Sequence, residues 1–241
     1  MKLNTRNIAL AGVLSAVSII LAVTRVGYIP FFAGISVTIM HLPVIIGAIV
    51  GGPVVGTIIS LIFGVSSLIL ASVSPLGPSD VFFTDPWVSV IPRLFIGVIA
   101  WAVYRSARAS GRGWVIGLGV LLSGLVILLS YNLVVGQASL GPLIGVVVGA
   151  LGLAGVGGII WRAFRAHPEE LALISAAVAA TLANTVLVLG ALVMRGYVPG
   201  AMALAIGVAN SPLEMAAAAI ITVAVVSAWY QISLRPGGST V

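Results

Sequence analysis

The stretch VANSPLEMAAAAIITVAVV (residues 208–226) decides the class of this protein. It is apolar and close to the roughly 20 residues that a helix needs to cross a bilayer core. Yet it carries Glu214 beside Pro212. A charge at the centre of a membrane helix costs roughly 2.5–3.5 kcal/mol or more, so such residues face other helices or a cavity and mark functional sites. The rest of the chain has the same character. Of 241 residues, 61% are hydrophobic and only 7% charged, against about 25% charged in a soluble domain. The apolar runs are long and uninterrupted, without the alternating strands of roughly ten residues that a barrel requires. The sequence therefore predicts an all-α polytopic membrane protein, and its 29 glycines suit helices packed closely in lipid.

Eight spans are expected, at about 7–24, 35–51, 54–73, 87–104, 114–135, 142–161, 170–194 and 203–230. With the N-terminus inside, the cytoplasmic face holds Lys2, Arg6, Arg105, Arg108, Arg112, Arg162, Arg165 and Arg235. The outer face holds only Arg25 and Arg195, with Asp80 and Asp85. This bias predicts two cytoplasmic termini. The first apolar run lacks a cleavage site and reads as a retained helix rather than a signal peptide. The net charge of +6 sits at the ends of the runs. It therefore orients the chain in a lipid bilayer, and no nucleic-acid partner is expected. There are no cysteines, which excludes disulfides and thiolate metal sites.

The few polar residues inside spans cluster toward the outer half: His41, Arg93, Asn184, Asn210 and Glu214. Three lie beside a proline (Pro43, Pro92, Pro212), and a proline in a helix frees the carbonyl four residues earlier. Those carbonyls are Ile39, Val88 and Val208. Unpaired backbone at membrane depth is tolerated where it is buried in protein or lines a cavity, so an outward-facing pocket is expected. Within it, Arg93 and Glu214 are expected to pair, with direct contact of Arg93 to an anionic ligand as the alternative. His41, Asn184 and Asn210 fit either pocket lining or plain helix packing. Two outer connections are long: RVGYIPFFAG (residues 25–34), with Tyr28, Phe31 and Phe32, and SPLGPSDVFFTDP (residues 74–86), with Phe82, Phe83 and Asp85. In the first helix Ala11, Gly12, Ser15 and Ala16 form two overlapping small-xxx-small pairs, which allow close helix approach. They serve either packing within the chain or docking of a membrane partner. No phosphate-binding loop occurs and Lys2 is the only lysine, so no ATPase site is expected. No cofactor and no metal site are expected, because acids are few and no H-E-x-x-H is present.

Four segments, ISVTIMHLPVIIGAIVGGPVVGTIISLIFGVSSLI (35–69), DPWVSVIPRLFIGVIAW (85–101), LANTVLVLGAL (182–192) and ANSPLEMAAAAII (209–221), together resemble the substrate-binding S components of energy-coupling factor (ECF) transporters. The opening TRNIALAGVLSAVSIILA is similar to that family's first helix. The resemblance implies one integral membrane domain over residues 1–241, with a six-helix core (1–106 and 167–232). A helical hairpin at about 107–166 is a departure from the family's six helices. It implies a subunit, not an enzyme, that binds a vitamin or similar micronutrient outside the cell. That subunit docks on a transmembrane coupling protein carrying two ATPase subunits. The two outer loops would gate the pocket, and Ala11, Gly12, Ser15 and Ala16 would meet the coupling protein. One arginine, one histidine and two asparagines suit a small hydroxylated carboxylate such as pantothenate. Folate and riboflavin are the alternatives within the family, and a membrane-embedded enzyme or a structural membrane subunit the alternatives outside it.

Overall fold

The computed structural model describes residues 4–30, 36–75, 77–110 and 168–233, with isolated positions between 110 and 168. Helix α1 (Thr5–Val23) starts at Asn4, whose side chain accepts the Asn7 N–H at 2.9 Å, an N-cap that satisfies one orphan donor of the first turn. Its buried residues, Ala11, Ser15, Ser18 and Ala22, recur every three or four positions and so share one face. The helix packs on α2 (Leu42–Gly51) and α3 (Pro53–Val73). Between α1 and α2, strands β1 (Tyr28–Pro30) and β2 (Ser36–Thr38) pair antiparallel, with Tyr28 opposite Thr38. Gly52 makes the α2–α3 turn at φ 90°, a conformation open to glycine without steric cost. A 3₁₀ segment (Pro78–Thr84) leads to the short α4 (Pro86–Ser89) and then α5 (Ile91–Ser110). The long helices α6 (Pro168–Met194) and α7 (Gly200–Ser233) complete the described chain.

Among the described residues, five helices are long and apolar enough to cross a membrane: Thr5–Val23, Pro53–Val73, Pro86–Ala109, Pro168–Met194 and Gly200–Gln231. They match five of the eight expected spans. The expected spans 114–135 and 142–161, and with them the inserted hairpin beyond residue 110, lie outside the described residues. The expected helix at 35–51 needs correction. Its first part is strand β2, and only Leu42–Gly51 is helical. The β-branched run around Val37 and Thr38 favours extended chain, and Pro43 sits in the first turn of α2, where proline starts a helix rather than breaking it. Pro92 likewise stands in the first turn of α5, so the expected span 87–104 is interrupted at Val90. Of these three prolines, Pro212 alone lies inside a helix.

The contact of α3 with α5 is made by backbone. A Cβ on Gly97 would lie 2.5 Å from the Gly56 carbonyl carbon, and one on Gly64 3.0 Å from Val90 Cα. Ser60, midway along the same face, accepts the Gly97 N–H at 3.2 Å. Gly56, Ser60 and Gly64 thus form a stripe of small residues that lets the two helices meet. The chain divides into two compact units, Met1–Tyr104 with Ala176–Val241, and Arg105–Ser175. Within the second, Arg108 pairs with Glu169 at 3.0 Å. The candidate site belongs wholly to the first.

Candidate functional site

The α1–α2, α3–α4 and α6–α7 connections meet at one end of the first unit. Arg25 Nη2 donates to the Ser74 carbonyl at 2.5 Å and to its hydroxyl at 3.1 Å, which ties the first connection to the second. Asp85 Oδ2 accepts from Arg195 Nε at 2.6 Å and from the Tyr197 hydroxyl at 3.1 Å, which ties the second to the third. Asp85 Oδ1 also takes the Trp87 N–H at 3.0 Å and caps α4. That bond, with the Arg195 and Tyr197 contacts, holds the Asp85 carboxyl below the usual carboxylate range. Phe82 stacks on Tyr197 with ring centroids 5.0 Å apart.

Behind these connections lie the polar residues. The expected Arg93–Glu214 ion pair does not form. Arg93 Nη1 donates to the carbonyls of Val88 (3.2 Å) and Ser89 (2.5 Å), and its guanidinium lies over Phe63 and Phe83 at 5.0 and 5.5 Å. Pro92 has no N–H to offer Val88, so the neighbouring arginine supplies the missing donor. Glu214 Oε1 instead accepts from both the backbone N–H (2.9 Å) and the hydroxyl of Thr38. Each charge therefore satisfies backbone exposed by a local interruption, and each is buried, at 6% and 5% exposure. The Ile39 carbonyl, expected to be free, accepts the Leu42 N–H at 3.1 Å.

His41 is buried and bonds through Nε2 to Thr181 Oγ1 at 2.9 Å. One turn along α6 from Thr181 stands Asn184, whose Oδ1 is buried without a hydrogen-bond partner. Such an atom costs its desolvation energy unless something donates to it. Asn210 is half-buried on α7. The structure thus joins His41 to Thr181, lays Phe63 and Phe83 against Arg93, and joins Glu214 to Thr38. Phe31 and Phe32 lie outside the described residues, and Tyr28 contributes its backbone to β1. In the first helix Ala11 and Ser15 are buried in the chain's own core, whereas Gly12 and Ala16 face outward.

Sequence reading missed Thr38, Thr181, Phe63, Ser89, Arg195 and Tyr197. Two of these left a signal: Thr181 precedes Asn184 by three residues, hence on one helix face, and Arg195 stands against the charge bias. An apolar groove near the start of α3, lined by Pro53, Val54, Thr57, Ile58 and Leu61, includes none of the site residues.

A family model described as "ECF transporter, substrate-specific component" matches residues 6–232. The chain is also 30% identical, over 128 residues, to the "Pantothenic acid transporter PanT" of Lactococcus lactis subsp. cremoris (strain MG1363). That match covers 46% of this chain and 65% of the relative, just under two thirds of its length. With its apolar spans, this is a multi-pass protein of a prokaryotic cell membrane. The chain belongs to the family of substrate-specific components of ECF transporters.

Proposed function

We propose that this protein is the substrate-binding subunit of an ATP-driven uptake transporter, with pantothenate as its substrate. The observation that carries the first part is the family match across residues 6–232. The similarity to a pantothenic acid transporter supports the second. The chemistry of the neighbourhood agrees with both. A guanidinium that lies over two aromatic rings can take a carboxylate through charge-assisted hydrogen bonds. The Asn184 oxygen seeks a donor, and pantothenate offers hydroxyls and an amide N–H. His41, Thr181 and Asn210 complete the lining in this reading. Glu214 acts at one remove, by holding Thr38 and with it the strand that leads to His41. The loops with Tyr28, Phe31, Phe32, Phe82, Phe83 and Asp85 cover the mouth.

The chain acts in transport and not as an enzyme, so the energy comes from elsewhere. The partners in this reading are a transmembrane coupling protein and two ATPase subunits. The outward pair Gly12 and Ala16 supplies the close-approach surface on α1, while Ala11 and Ser15 serve internal packing. Both termini face the cytoplasm.

The test is a thermal-shift screen of the detergent-purified chain against pantothenate, folate and riboflavin, since a ligand bound only by the folded state raises its stability by mass action. Pantothenate alone should raise the melting temperature. A shift with another vitamin would reassign the substrate, and no shift by any of the three would exclude pantothenate and place the substrate outside this panel.

A further inference from the structure

A continuous set of contacts runs from the surface to the buried guanidinium. It begins at Arg195, whose side chain is 50% exposed, and passes to Asp85, whose side chain is 9% exposed. Tyr197 joins it twice, by its hydroxyl to Asp85 and by its ring to Phe82. Inward, the Ser89 hydroxyl donates to the Phe83 carbonyl, the Phe83 ring covers Arg93, and Arg93 returns to the Ser89 carbonyl. Beneath lies an apolar cluster of Val88, Val188, Leu192, Val198 and Ala203, against which Phe82, Phe83 and Tyr197 pack.

The far end of the same loop is fastened by Arg25 to Ser74. The two arginines that stand against the charge bias of the sequence are therefore the two that pin this loop. They differ in kind. Arg25 holds a neutral carbonyl and hydroxyl. Arg195 holds a carboxylate, a pair weakened by salt because one partner is in solvent.

The geometry points to Arg195 and Tyr197 as positioning residues. They hold the Phe82–Asp85 segment closed over Arg93, and opening of the Asp85–Arg195 pair uncovers the guanidinium. The inference rests on the proposed ligand role of Arg93 only for its consequence, because the closure itself can be read without ligand.

The chain has no cysteine, so Val188→Cys places a single thiol beneath the segment. Its modification rate by a water-soluble maleimide is measured on the full-length, detergent-purified protein without ligand. Asp85→Asn keeps an acceptor for the α4 cap and removes the charge, and Arg195→Ala removes the partner. Each should speed modification at least ~10-fold over Val188→Cys alone, the scale expected for losing a charge-assisted bond that limits local opening. Rates within about twofold of the parent in both variants would overturn the proposal. Should either variant fail to fold, Val188→Cys alone decides. Raising salt from about 0.05 to about 1 M should accelerate it several-fold. Val73→Cys, at a position 79% exposed at the end of α3, should not respond. A flat salt response at Val188→Cys would also overturn the proposal. If pantothenate were not the substrate, the vitamin screen would register it and these rates would stand unchanged.

Discussion

Arg93 and Glu214 invite comparison. Both are buried charges on apolar helices, and both have a proline within two residues. The one answers a carbonyl. Pro92 deprives Val88 of its helical donor, and only a donor side chain can repair that. The other answers an amide. The strand before α2 turns the Thr38 N–H toward α7, and only an acceptor can meet it. The sign of each charge is thus set by the type of backbone group that its surroundings leave exposed. Opposite charges at similar depth need not be partners.

Four measurements sharpen or break this contrast. The largest effect is expected from Arg93→Ala, which should weaken pantothenate binding ~100-fold or more, by loss of charge-assisted bonds. Calorimetric titration of a folded variant checks it, and unchanged affinity would remove the arginine from the ligand site. Next, Glu214→Ala should lower unfolding stability by ~1–3 kcal/mol, since two donors on Thr38 lose their acceptor. Glu214→Gln, which keeps the acceptor oxygen, should recover most of it in a denaturant titration. Third, the double variant Arg93→Ala/Glu214→Ala should show a coupling of no more than ~0.5 kcal/mol, because the two side chains hold different backbone groups. A rescue in the double variant would restore the ion pair that the structure replaces.

The smallest effect concerns pH. The Trp87 N–H, Arg195 and Tyr197 favour the charged form of Asp85, so its folded pKa lies below its unfolded value. The stability it adds is then full above the ordinary aspartate value of about 3.9 and is lost as pH falls through the lower folded value. The melting-temperature difference between the parent and Asp85→Asn should be flat from about pH 5 to 8 and shrink below about pH 4. A difference that shrinks near neutral pH would assign the effect to another group.

Much of the architecture was legible because apolar length is a strong signal in membrane proteins. Five long spans fall where hydropathy places them, and the polar residues His41, Arg93, Asn184 and Glu214 stand out against an apolar background. The misread parts share one cause. In sequence Pro43 and Pro92 read as breaks inside helices, whereas they occupy first turns, and sequence alone does not separate a helix that starts from one that bends. Once β2 is recognised, Thr38 becomes the natural partner of Glu214, but the side-chain contact lies 176 residues away in sequence. The stripe of Gly56, Ser60 and Gly64 was visible in principle, at four-residue spacing, but is hard to single out among 29 glycines.

The length of α2 has its own consequence. Ten helical residues rise about 15 Å, half the thickness of a hydrocarbon core of about 30 Å. The helix is nonetheless wrapped by its neighbours, with eight of its ten residues buried. Longer helices pack against it, among them α1 and α3, each long and apolar enough to cross the core. The chain that precedes α2, Ser36–Thr38, is strand instead of helix. Extending α2 by two turns at its start would therefore replace β2 and unmake its pairing with β1.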